Sequence, residues 1–200
     1  ASFRQISTQL LARFGQARQS VVLTGTSRNS GKTTCASNLA LLLAQAGRNV
    51  VLVDSDPQNS SLQRIFKIDK AKLRLADYND RSGLLNKSIQ KTDVDNLYVV
   101  QIDVDPRESS ENKTARLAAL NSDLSQHFDW VIYDAGVIGC NTTDQLLQIV
   151  GKALFVSTDD DASGRLVTIE QIEHRGAINL GCVENAHTIS QTTSRQMAFS

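Results

Sequence analysis

The sequence lacks any excess of charge: 21 lysines and arginines stand against 21 aspartates and glutamates in 200 residues. No global field therefore steers the chain to DNA or to anionic lipid. Cysteine is scarce and has no paired spacing (Cys35, Cys140, Cys182), which speaks against a disulfide framework and predicts buried thiols in a reducing compartment. No apolar run approaches the roughly 18 residues of a membrane span, and the first residues do not form a signal peptide. The chain does not begin with Met, so a piece of something longer is one reading; a cytoplasmic location is expected. His127, His174 and His187 show no ligand spacing, so surface or half-buried histidines are expected rather than a metal site. What remains is 40% hydrophobic and 21% charged, the balance of a soluble globular protein. One α/β domain over residues 1–200 is the simplest organisation.

That organisation centres on the stretch from Val21 to Asp56. Val21 to Thr24 is an apolar, β-prone run that enters a loop of small residues ending in Gly31-Lys32-Thr33-Thr34. A helical pattern follows over about 32–46, with Gly47 at its C′ position, and a second apolar run, about 49–53, ends on Asp54. Strand, loop, helix, strand places Gly-Lys-Thr at a helix start, where free N–H groups and the helix dipole favour an anion. Before it, residues 1–19 predict an amphipathic helix ending near Gly15. After it, Ser60-Ser61 predicts a cap for a short helix from Leu62 to Phe66. Short helical hints lie at Lys70–Ala76 and Gly83–Lys87. Strands are expected at Leu97–Ile102, Trp130–Tyr133, about 153–157 and about 178–183. Helices are expected at about 112–127, 142–149 and 163–175, and residues 187–200 read as a polar tail. Alternating strands and helices predict a mostly parallel sheet covered on both faces, with ligands beyond the carboxyl ends of its strands.

The loop, Asp54 and Asp134 all fall at those ends. Lys32 is placed to reach the β- and γ-phosphates of a nucleotide, and the Thr33 hydroxyl to ligate Mg²⁺. Asp134, ending an apolar strand, has the Walker B position and would hold Mg²⁺ directly or through water. Asp54 and Asp56 flank Ser55, so in an extended segment both carboxylates point to one side; one of them, Asp54 by preference, would orient or deprotonate the attacking nucleophile. The phosphate loop departs from G-x-x-x-x-G-K-[ST]: Thr26 stands where the first glycine belongs, and Gly25 is one place early. A phosphate nest needs residues at positive φ, tolerated after glycine best by asparagine, which points to Asn29. Arg28 either adds a second cation or faces solvent.

The segments SGKTTCASNLALLLAQAGRNVVLVDSDPQNSSLQRIF, FDWVIYDAG and LGCVEN together resemble the deviant-Walker P-loop ATPases over nearly the whole chain. The resemblance is to the bacterial tyrosine kinases of capsule and exopolysaccharide synthesis, relatives of the partition and division-site ATPases of ParA/MinD type. It implies a three-layer P-loop NTPase fold and an ATP–Mg²⁺ site formed by Arg28, Asn29, Ser30, Gly31, Lys32, Thr33 and Thr34 with Asp54, Asp56 and Asp134. It also implies that Asn185 lies near the nucleotide base. The expected partner is a transmembrane polysaccharide co-polymerase at the inner face of the plasma membrane, with membrane contact only through that partner. A homo-oligomer and no nucleic acid are expected.

The sequence departs from the kinases at several points. Of their N-terminal Glu-x-x-Arg-x-x-Arg ring motif only Arg4 matches, with Ala1 and Ser7 at the other places. Asp134 is followed by Ala135-Gly136-Val137 instead of Thr-Pro-Pro, and the ParA/MinD signature lysine falls at Ser27. The stretch up to Ser200 carries no C-terminal tyrosine cluster, which would have to lie beyond it: the tyrosines here are Tyr78, Tyr98 and Tyr133. The leading expectation is a kinase-like ATP-binding protein with weak or no autokinase activity. The alternatives are an active tyrosine kinase with its acceptor on a partner or at Tyr78, a partition-type ATPase, and a scaffold that has lost nucleotide.

Overall fold

In a computed structural model of the protein, residues 3–56, 61–69, 72–78, 83–105, 107–158 and 169–185 are described. Among them the strands run β1 (Gln19–Gly25), β2 (Val50–Asp54), β3 (Leu73–Arg74), β4 (Gln90–Lys91), β5 (Leu97–Asp103), β6 (Trp130–Val137), β7 (Lys152–Thr158) and β8 (Ile178–Asn185). The helices are α1 (Phe3–Phe14), α2 (Lys32–Gln45), α3 (Ser61–Phe66), α4 (Leu84–Ser88), α5 (Ser110–His127) and α6 (Asn141–Val150), and residues 169–174 are also helical. The strands form one sheet in the order β3-β5-β2-β6-β1-β7-β8, parallel throughout, with β4 added antiparallel to β5.

The period-two alternation of a strand divides these apolar runs between two cores. Val21, Leu23, Val50, Leu52, Leu97, Val99, Trp130 and Ile132 face α1 and α2, packing on Ile6, Leu10, Cys35, Leu39 and Leu43. Val22, Val51, Val53, Val100, Val131 and Tyr133 face the other way, onto Leu117, Leu120 and Leu124 of α5 and Leu146 and Leu147 of α6. The result is the expected three-layer α/β fold, and its near-continuous apolar strands are those of a sheet buried on both sides.

Several expectations need correction. The helical hint at Lys70–Ala76 is instead the short strand β3 followed by a 3₁₀ turn, Leu75–Asp77; Leu73 and Leu75 are drawn into the core and extend the chain along β5. β4 carries no apolar alternation to mark it. β6 runs on past Asp134 to Val137, so the Asp is set within the strand's last turns of pleat rather than after it. Of the cysteines, all free, only Cys35 is buried; Cys140 is exposed. The Ser60 cap, the beginning of the 163–175 helix, His187 and the 187–200 tail lie outside the described residues. No helix among the described residues is long and apolar enough to cross a membrane.

Helix α5 is held at its start by Ser109, whose hydroxyl oxygen accepts from the Asn112 N–H at 3.3 Å. Ser109→Ala should therefore cost about 1 kcal/mol, seen as a drop of roughly 2–4 °C in a thermal melt; an unchanged Tm would mean the cap is idle.

Candidate functional site

Three polar side chains interrupt the apolar row that the sheet turns toward α2. Gln101 on β5 is in register with Asp54 on β2, and Asp54 with Asp134 on β6. Counting by twos from Leu97, Val50 and Trp130, which all face α2, puts the three on that same face. They lie at the carboxyl ends of adjacent strands, where α2 begins. All are buried: Gln101 is 1% exposed, Asp134 1% and Asp54 4%.

The loop between β1 and α2 closes the site from the other side. Gly31 takes φ 86 and Asn29 φ 61, so two of the three residues before Lys32 are left-handed and the loop turns back on itself. Asn29 thus supplies the positive φ for which the sequence offered no glycine. Lys32 is buried, and its Nζ donates to the Ser27 carbonyl at 2.8 Å. Burial pulls its pKa below the ordinary lysine value, while Asp134 and Asp56 pull it back up. The ammonium group therefore sits within electrostatic reach of the acids while capping the loop's own carbonyl. Arg28 is exposed, close enough to Lys32 to disfavour its charge.

The acids are held under tension. Burial pushes the Asp134 carboxyl up to about 7, against the hydrogen bond it accepts from Thr33, and Asp54 adds like-charge repulsion. Burial likewise pushes Asp54 up to about 6, against the bond donated by Gln101 and one from the Asp56 backbone. Asp54 Oδ1 and Asp134 Oδ2 are buried with no hydrogen-bond partner. Orphaned carboxylate oxygens on neighbouring strands are costly unless something binds them. A divalent cation fits: it would take these two oxygens and the Thr33 hydroxyl and complete its shell with water and phosphate oxygens, as Mg²⁺ does. Among the described residues no group of three or more His, Cys, Asp or Glu forms a cage that would hold a metal by itself.

The structure thus brings together Asn29, Ser30, Gly31, Lys32, Thr33, Asp54 and Asp134, with Asp56 half-buried beside them. Thr34 is exposed on the first turn of α2. Asn185 ends β8 opposite Thr158, on the same sheet edge; its side chain lies outside the described set. Gln101 was missed by sequence reasoning. The signal was present: a glutamine at an inward position of the alternating run LYVVQID.

A model of the CobQ/CobB/MinD/ParA nucleotide binding domain matches residues 21–185, from the first residues of β1 to the end of β8. The chain belongs to this nucleotide-binding family. Its relatives include the tyrosine-protein kinase CpsD of Streptococcus pneumoniae, 28% identical over 88% of this chain and 79% of that protein. A putative tyrosine-protein kinase CapB of Staphylococcus aureus is 25% identical over 88% of this chain and 78% of its own length. Among solved structures, the chimerical protein CapA2B2 superposes with a TM-score of 0.77 at 27% identity, covering 92% of this chain and 82% of that one. The MinD cell division ATPase of Pyrococcus furiosus gives 0.71 at 22% identity over 86% and 74%, a likeness of fold alone. The family membership agrees with a P-loop at the β1–α2 turn.

Proposed function

We propose that this family member binds ATP with Mg²⁺ and acts in capsule or exopolysaccharide synthesis or export, with weak or no tyrosine autokinase activity. The observation that carries the reading is the pair of in-register carboxylates, each with an unpartnered oxygen, one of which, Asp134, lies within electrostatic reach of the lysine at the mouth of α2. In this reading Lys32 exchanges the Ser27 carbonyl for phosphate, the N–H groups from Asn29 to Thr34 line the anion site, and Arg28 approaches from the loop's exposed side. Thr33, Asp54 and Asp134 hold the metal. Asp54 or Asp56 accepts the proton of the attacking group. ATP–Mg²⁺, when bound, supplies the electrophilic phosphorus. Asn185 contacts the base.

Weak autokinase activity agrees with where the tyrosines sit. Tyr78 and Tyr133 are buried, with hydroxyls donating to Asp123 and to Asn121 Oδ1. Tyr98 is partly buried, edge-on to Phe128. This disfavours Tyr78 as the middle-loop acceptor. The partner fitting this reading is a transmembrane polysaccharide co-polymerase at the inner face of the plasma membrane, with self-association of the chain.

Thermal melts with and without ATP–Mg²⁺ test the proposal. The wild type should gain stability with ligand, about 2.7 kcal/mol at a hundredfold excess over Kd, and Lys32→Ala should gain almost none. Equal shifts in both proteins, or none in either, would remove nucleotide from the mechanism. Intact-mass spectra after the same incubation should show no added phosphate; phosphotyrosine would instead make this an active kinase.

A further inference from the structure

Gln101 has no part in the phosphate loop or in the metal set, yet it is among the most deeply buried polar side chains of the sheet. A buried glutamine needs partners at both ends of its amide. Here Gln101 Nε2 donates to Asp54 Oδ2 at 3.0 Å, and Gln101 Oε1 accepts from Gln63 Nε2 at 2.7 Å. The polarity of this chain is forced. A carboxylate only accepts, so Gln101 must present its nitrogen to Asp54 and its carbonyl to Gln63, which must answer with its own nitrogen. Polarised in series, each bond strengthens the next.

The consequence falls on Asp54. With Oδ2 engaged by Gln101, it is Oδ1 that has no partner, so the amide selects which oxygen is spare. Gln63 belongs to α3, and its neighbour Leu62 is fully buried in the core beneath α2. A hydrogen-bonded line thus runs from that helix through β5 to the acid on β2.

We propose that Gln63 and Gln101 are positioning residues: they fix the Asp54 carboxylate so that Oδ1 faces the metal–nucleotide site, and they tie its aim to the position of α3. The inference rests on the reading of Asp54 as part of a Mg²⁺ site. Displacing α3 withdraws Gln63, frees Gln101 to turn, and lets the carboxylate swing.

The experiment measures ADP affinity by calorimetry with Mg²⁺ and with EDTA, in the full chain. In the wild type Mg²⁺ should tighten ADP. Gln101→Leu and Gln63→Leu should each reduce that enhancement by about 10-fold, with metal-free ADP affinity nearly unchanged. Because the two act as one unit, the double variant should be no worse than Gln101→Leu. A role in packing alone would lower Tm and leave the metal enhancement intact. Gln63 is only half-buried, so its variant tests the relay even where Gln101→Leu fails to fold. Full enhancement in Gln63→Leu would overturn the tie to α3, and full enhancement in both would overturn the relay with the nucleotide reading still standing. No Mg²⁺ enhancement in the wild type would overturn that reading, and the relay's role with it.

Discussion

Gly25→Ala should lower the melting temperature by on the order of 10 °C and weaken nucleotide-linked stabilisation as well. A β-carbon at Gly25 would lie 2.6 Å from the Val156 carbonyl oxygen on β7, 3.3 Å from Ser30 Oγ and 3.7 Å from Lys32 Cδ. The first contact is backbone against backbone, so no rotamer relieves it. β1 lies between β6 and β7 in the sheet, and on its β6 side the Gly25 carbonyl accepts the Ile138 N–H at 3.0 Å. The chain can move away from β7 only by straining that side. Overpacking in a close-packed core costs about 1–3 kcal/mol or more, and each kcal/mol is roughly 2–4 °C in a chain of this size. The same displacement pushes on Ser30 and Lys32, and so reshapes the loop. A melt and an ATP–Mg²⁺ shift equal to those of the wild type would show that β7 yields freely. The glycine one place before the Walker position thus has its own reason: it admits β7.

The fold was legible where hydrophobic pattern and punctuation agreed. Val50 to Val53 ending on Asp54, and Trp130 to Tyr133 before Asp134, are short, β-branched or aromatic runs that alternate between two buried faces, as strands of a covered parallel sheet do. The helical hint at Gly83–Lys87 is met by α4, but β3 and β4 on either side of it were not legible, because each is two residues long. They are selected by pairing with β5, a tertiary contact that leaves no local period. In the site, Lys32, Thr33, Asp54 and Asp134 could be named from spacing, since a P-loop is local and strand-tip acids follow from the alternation. That Asp54 and Asp134 would be register partners could not be named, because it depends on β2 and β6 lying side by side though distant in sequence. Nor could the Lys32 bond to Ser27, which follows from the loop's path and from the two left-handed residues within it.

Asp134→Asn should stabilise the nucleotide-free protein near pH 8 and abolish its stabilisation by ATP–Mg²⁺. Asp134 and Asp54 are raised from 3.8 to about 7 and about 6. Between the unfolded and folded values the native state therefore holds protons that the unfolded chain has released, so stability falls as pH rises from about 4 toward 7. A charged Asp134 therefore destabilises the empty protein. Asparagine keeps an oxygen to accept from Thr33 and removes both the buried charge and its repulsion with Asp54. Its amide nitrogen is left to find a partner, which offsets part of the gain. The net expectation is roughly 5–10 °C in Tm near pH 8. The difference should fade toward pH 5, where the wild-type carboxyl is already protonated. The ligand response should move the opposite way, because a neutral amide at the strand tip no longer attracts a divalent cation. Melts of both proteins across that pH range, with and without ligand, decide the point. A variant less stable than the wild type at pH 8 would mean that Asp134 is not strained in the empty site. A gain in bare stability coupled to loss of the ligand response is what separates an acid kept for binding from one kept for folding.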